Sequence, residues 1–153
     1  YNIKERGKEM SKVSVIYWSG TGNTAMMASA IAEGIKETGA EAELVTADIA
    51  SADMIADAKV VALGCPSMGA EQLEESTMEP LMCELDGAIS GKTVLLFGSY
   101  GWGSGEWMQD WEGRIVADGA TVLNGEGIIA NNTPGDDDIE ACKDAGRALG
   151  GMA

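Results

Sequence analysis

Histidine is absent from the 153-residue chain, phenylalanine occurs once, and proline and cysteine three times each. Without histidine, the usual general base of serine and cysteine hydrolases and the commonest metal ligand are both missing. The cysteines, Cys65, Cys83 and Cys142, form no CxxC pair and leave an odd one over. They read as reduced structural thiols of a cytoplasmic protein. No apolar run exceeds the short VSVIYW and VVAL types, far below the ~20 residues that cross a bilayer, and no secretory signal precedes them. Positive charge is scarce: 10 Lys and Arg stand against 25 Asp and Glu, a formal net charge of −15. Phosphate backbones and anionic lipids would repel such a chain, so neither nucleic acid nor membrane is an expected partner.

The apolar fraction, 45%, suffices for one well-cored domain. Residues 1–9, YNIKERGKE, are polar, hold three basic and two acidic residues, and precede a natural start at Met10-Ser11-Lys12. They are expected to be a leader outside the fold, with residues 10–153 forming a single domain. Removing them leaves 7 basic against 23 acidic residues. The four tryptophans, Trp18, Trp102, Trp107 and Trp111, all fall in or beside expected loops or loop–helix junctions.

From Met10 onward, β-rich runs alternate with helical patterns. Strands are expected at 13–18, 42–47, 59–64 and 92–99, with an interrupted fifth at 120–123 and 127–130. Met27, Ala28, Ile31, Ala32 and Ile35 mark one face of a helix over 24–38, closed by Gly39. A short helical turn covers 53–57. Pro80 suits the first turn of a helix ending near Asp86. An amphipathic helix spans 105–118, and Asp136-Asp137-Asp138 opens a last helix running to about Leu149. Near-continuous apolar strands separated by helices predict an α/β fold: a doubly wound parallel sheet of five strands covered on both faces, three layers in all. Ligands of such sheets sit beyond the carboxyl ends of the strands.

The loop after the first strand reads Ser19-Gly20-Thr21-Gly22-Asn23-Thr24 and leads into a helix. Free N–H groups, glycines and three hydroxyls make a phosphate cradle. No Lys or Arg lies between Val13 and Lys36, so N–H and O–H donors and the helix dipole must hold the anion. Gly20-x-Gly22-x-x-Ala25 also fits a dinucleotide fingerprint, with Asp48 as its acidic partner, and an ordinary glycine-rich turn remains open. A P-loop is excluded because GKS or GKT is absent. Three hydroxyls favour a terminal monophosphate.

Pro66-Ser67-Met68-Gly69-Ala70-Glu71 follows the third strand, and Ser99-Tyr100-Gly101-Trp102-Gly103-Ser104-Gly105 the fourth. Met68 and Trp102 at loop tips have no core to fill, whereas a flat aromatic ligand between them would explain both. Together, YWSGTGNT (17–24), GCPSMGAEQLEES (64–76) and SYGWGSGEWM (99–108) resemble the three binding segments of short-chain flavodoxins of anaerobic bacteria.

The resemblance runs from Met10 to the last helix. It implies strand order 2-1-3-4-5 and one non-covalent FMN that shuttles single electrons at low potential, cycling between semiquinone and hydroquinone. Carried over, Ser19, Thr21, Gly22, Asn23 and Thr24 would bind the FMN phosphate. Met68 and Trp102 would lie on the inner and outer ring faces, and Glu71 would accept from the ring N3–H. The backbone of Gly101 to Gly103 would meet the pyrimidine edge, Asn131 the ribityl chain, and the Gly69 carbonyl the N5–H of the reduced ring. Gly20, Ser67, Ala70, Ser99 and Tyr100 complete the cofactor-binding set. The chain departs from some relatives at Pro66, where they carry Ser, and at Ala70, often Asp, Asn or Gly.

A non-glycine at Ala70 disfavours positive φ there, so a 68–71 turn should take positive φ at Gly69 alone. Glu71, Glu74, Glu75, Glu79, Glu106, Asp110 and Asp136–Asp138 flank these loops. A carboxylate ~10 Å from the ring would cost its anionic reduced form ~1 kcal/mol, or ~40 mV for one electron, before screening. The acidic surface also keeps the protein soluble and should steer it to redox proteins with basic docking patches, of the ferredoxin type. The protein is expected to be a monomeric electron carrier and no enzyme. An FMN-dependent reductase of quinones or small oxidants is the alternative; Trp102 over the ring argues against its open substrate pocket. A dehydrogenase module lacks both a catalytic domain and histidine.

Overall fold

The computed structural model describes residues 11–153. The expected leader, residues 1–9, lies outside the described residues. The elements run β1 (Lys12–Tyr17), α1 (Asn23–Glu37), β2 (Glu41–Thr46), a 3-10 turn (Ala52–Ile55), β3 (Val60–Gly64), α2 (Met78–Leu85), β4 (Thr93–Tyr100), α3 (Glu106–Ala117), β5 (Thr121–Val122), β6 (Ile128–Asn131) and α4 (Asp136–Met152). All strand pairs are parallel, in the order β2-β1-β3-β4-β5, and β6 continues along β4 beyond β5. The expected interrupted fifth strand is thus two short strands on one neighbour.

Alternation builds the three layers. Val13 and Val15 of β1, Val60 and Ala62 of β3, and Leu95 and Phe97 of β4 face α1 and α4. Their neighbours Ile16, Val61, Leu63, Val94 and Leu96 face α2 and α3. Side chains two apart share a face of the pleat, so one apolar run feeds both cores. Trp107 and Trp111 of α3 are 1% and 2% exposed, which places them in the second core and not among the loops. Four residues apart, they share one helix face. The last helix runs three residues past the expected Leu149. No described helix is long and apolar enough to cross a membrane.

The break between β5 and β6 has a local cause. Asn124 and Gly125 both take left-handed backbone, at φ 64° and 82°. The chain then returns to β4 with the Gly127 N–H held by Glu112 Oε2 of α3 at 2.7 Å.

Helices α1 and α4 cross at glycines. A Cβ on Gly34 would overlap the Lys143 carbonyl, and one on Gly146 the Ile31 carbonyl. Replacing Gly34 by alanine should therefore destabilise the protein by about 1–3 kcal/mol in urea denaturation, through overpacking. Gly113→Ala, on α3 with nothing within 4 Å of its Cβ, should instead stabilise it by about 0.5–1 kcal/mol.

Candidate functional site

The loops after β1, β3, β4 and β6 meet at the carboxyl edge of the sheet and enclose a cavity of about 330 Å³. Thr21 and Asn23 line one end and Met68, Tyr100 and Trp102 the other, with Ser67 and Ser99 between. Trp18, Pro66 and Asn132 line it too. Trp18, Pro66 and Asn132 lie outside the cofactor-binding set expected from the sequence. Trp18 directly precedes Ser19 at the end of β1, a signal that was available.

At the first loop, Gly22 takes a left-handed backbone, φ 98°, and starts α1. The Ser19 hydroxyl accepts from the Gly22 N–H at 3.1 Å and the Ala25 N–H at 3.3 Å. It therefore shapes the turn from within and caps the helix. Thr24 is 1% exposed; its Oγ1 meets Ser99 Oγ at 3.2 Å and accepts from the Ser99 N–H at 3.3 Å. Ser19 and Thr24 thus serve the loop and the α1–β4 contact. Only Thr21, Asn23 and Gly20 of the six reach the cavity wall.

Cys65 anchors the second loop. Its N–H donates to Phe97 O at 3.1 Å, its carbonyl accepts from Trp107 Nε1 at 3.0 Å, and its sulfur accepts from the Glu74 N–H at 3.4 Å. Burial pushes its thiol up to about 12, so it stays protonated. The Ser67 N–H donates to Ser99 O at 3.0 Å, while its hydroxyl, on a residue 3% exposed, has no partner.

The turn beyond is longer than expected. Met68 and Gln72 exchange two backbone bonds of 2.8 Å, leaving Gly69, Ala70 and Glu71 as a three-residue loop. Gly69 has positive φ, 53°, and Ala70 does not, in line with expectation; Glu71 also takes φ 53°, which a four-residue turn did not foresee.

Glu71 is not part of the cavity lining. Its Oε1 accepts from the Gly105 N–H at 3.2 Å and the Glu106 N–H at 2.8 Å, at the start of α3. Gly69, Ala70, Gly103 and Asn131 are likewise outside the lining. Asn131 donates through Nδ2 to Tyr100 O at 3.4 Å, and Asn132, at φ 56°, takes its place in the wall.

The acidic flank is less uniform than its sequence suggests. Glu74, 7% exposed, caps α2: its carboxylate accepts from Thr77 and Met78 N–H at 2.8 and 2.9 Å and from the N–H and hydroxyl of Ser76. Burial pushes its carboxyl up, but these bonds outweigh it and hold the pKa below the ordinary value. Arg114 pairs with Glu79 and Asp86, both at 2.8 Å, and its guanidinium holds Glu79 below the usual range. Glu75, Glu106 and Asp110 are exposed and make no ion pair with a described residue.

The sequence model of the family Flavodoxin matches residues 15–146. The chain belongs to the flavodoxin family. It is 47% identical over 136 residues to a flavodoxin of Megasphaera elsdenii, covering 89% of this chain and 96% of that one. A Clostridium beijerinckii flavodoxin is 42% identical over 137 residues, covering 90% and 98%. The solution structure of the two-electron-reduced Megasphaera protein superposes with a TM-score of 0.81 at 45% identity, over 91% of this chain and 98% of that one. Oxidised flavodoxin 1 of Bacillus cereus gives 0.80 at 28% identity, over 93% and 98%. Flavodoxins are electron carriers and not enzymes, and their cofactor is FMN; both hold for this chain.

The residues present fit that cofactor. A cavity of this volume lies within the usual range for bound cofactors. It combines apolar and aromatic walls with a buried hydroxyl that lacks a partner. A Cβ at Gly20 would stand 3.1 Å from the Trp18 ring, and one at Gly101 3.2 Å from Asn132 Oδ1, so a larger residue at either would crowd the lining.

Glu71→Ala removes the acceptor at the start of α3 and should lower stability by about 0.5–2 kcal/mol in denaturant titration of the FMN-free protein. Glu71→Gln, which keeps an oxygen there, should recover part of the loss.

Proposed function

We propose that FMN lies in this cavity with its phosphate at the Thr21–Asn23 end and its ring between Met68 and Trp102. Bound there, FMN supplies one-electron redox chemistry at low potential. The chain's own residues supply the rest. Gly20, Thr21 and Asn23 present donors at a helix start in a stretch without Lys or Arg from Val13 to Ile35, Ser67 offers a hydroxyl to the middle of the ligand, and Met68 and Trp102 exclude water from the ring. Ser19, Gly22 and Thr24 act from behind by fixing the loop, and Gly69, Ala70, Glu71, Gly103 and Asn131 by fixing the rim.

The observation that carries the assignment is the lining itself, with Thr21 and Asn23 at a helix start on one end and Met68 and Trp102 on the other. Ser67, between them, adds a buried hydroxyl with no partner among the described residues, a group that a ligand in the cavity would satisfy. Ser67→Ala should therefore move two quantities in opposite directions. It raises the stability of the FMN-free protein, by up to about 1–3 kcal/mol, and it weakens FMN binding. Equal FMN affinity in fluorescence titration of the two proteins would count against this placement.

The partners we infer are redox proteins with basic docking patches, met by a monomer in the cytoplasm. Glu75, Glu106 and Asp110 support this, because their charge is not cancelled by a described neighbour. Glu74 and Glu79 contribute less, being held by hydrogen bonds and by Arg114. Steered association follows ionic strength. The second-order rate of electron transfer to a basic ferredoxin-type acceptor should fall steeply from 10 mM to 500 mM salt. Asp110→Asn together with Glu106→Gln should flatten that dependence, whereas Glu79→Gln should change it least.

A further inference from the structure

Three carboxylates and one guanidinium meet between α2 and the far end of α3. Arg114 donates through Nε to both oxygens of Asp86, at 3.0 and 3.2 Å, and through Nη2 to Asp86 Oδ2 at 2.8 Å. Its Nη1 donates to Glu79 Oε1 at 2.9 Å. The donors of the cation thus face these two acids. Asp118 is the third carboxylate, and its side chain lies within hydrogen-bond reach of Asp86. One of its oxygens, Oδ2, is buried and has no partner among the described residues.

The surroundings of Asp118 are poor in donors. Asp86 caps the carboxyl end of α2 and Asp118 that of α3, so both stand where the helix dipole is negative. α2 also brings Glu79 and Cys83, and the Cys83 thiol donates to Glu79 Oε2 at 3.5 Å. The segment before β4 meets Gly119 through Ser90 and carries Lys92. The Lys92 Nζ is turned to the Ala56 and Ala58 carbonyls, at 3.4 and 2.6 Å. β5, Thr121–Val122, has no ionisable side chain. An ionised Asp118 facing Asp86 is one acceptor against another, whereas the neutral acid supplies the missing donor.

We propose that Asp118 carries a proton in the folded protein and donates it to Asp86, which makes this corner of α2 and α3 a pH-sensitive clasp, tightened in mild acid and strained by repulsion between carboxylates once the proton leaves. Burial and the contact with Asp86 push the Asp118 carboxyl up to about 6, against the opposing pull of Arg114. Burial also raises Asp86, but the bonds from Arg114 and Asp118 outweigh it and hold that carboxyl below its ordinary value. Because α3 begins at the cavity edge and ends here, the clasp does not depend on the cofactor assignment.

An acid whose pKa is higher in the folded than in the unfolded chain adds stability at low pH. That stability is lost as pH rises through the folded value, here about 6. Glu79 and Asp86, both held low, act in the opposite sense and lose their contribution only as pH falls below the ordinary carboxylate range.

The direct test follows the Asp118 side-chain carboxyl carbon by 13C NMR in the FMN-loaded protein. It should titrate near pH 6, against about 4 for an unperturbed aspartate. Titration at about 4 or below overturns the clasp. Urea denaturation at a fixed excess of FMN gives a second reading. In Asp118→Asn the amide donates to Asp86 at every pH. The midpoint of this variant should match the parent's at about pH 4.5 and exceed it increasingly up to about pH 7.5. A difference between the two proteins that does not change with pH also overturns the proposal.

Discussion

The site depends on the close passage of Cys65 past Gly98. A Cβ at Gly98 would overlap the Cys65 carbonyl, so only glycine lets β4 carry the chain beside the end of β3 at this distance. That same carbonyl receives the Trp107 indole, which fixes α3 against the sheet. The Cys65 sulfur receives the Glu74 N–H, which brings the far end of the second loop back to the start of α2. One residue thus sets the positions of two loops and two helices. The thiol remains protonated in this role, and its chemistry is that of a small apolar group with a weak acceptor.

Above this point the loops are held by groups that the chain spends on itself. Ser19 caps α1, Glu74 caps α2 and Glu71 fills the same role for α3. In each case the group satisfies N–H donors that a helix start leaves open. At α2 and α3 these donors serve rigidity alone, whereas at α1 the loop also lines the cavity. There Thr21 and Asn23 still face the cavity, and no cation lies nearby in sequence.

The elements of the fold were legible because their causes are local. Apolar runs mark β1, β3 and β4, the helical spacing of Met27 to Ile35 marks α1, and the glycine-bearing loops mark the site. Side-chain destinations were less so. Thr24 reads as a phosphate ligand, and its contact with Ser99, 75 residues away, is written in no local pattern. Glu71 reads as a ligand acceptor, and its two bonds to the start of α3 are equally non-local. Asn131 and Asn132 differ only in which one follows the strand into left-handed backbone, and that depends on how β6 ends against β4. Trp107 and Trp111 fall within the expected helix over 105–118, but their closeness to a glycine-rich segment hides how deeply that helix end is buried. What was missed in each instance is a contact between distant segments, which no local pattern encodes.

The contact between Glu71 and α3 couples two loops that leave different strands. A side chain at position 103 would meet the Glu71 carboxylate, and the backbone there stands at φ 81°. Glycine at 103 therefore leaves the carboxylate free to reach the Gly105 and Glu106 N–H groups, and a Cβ there would strain the backbone and push the acid off the start of α3.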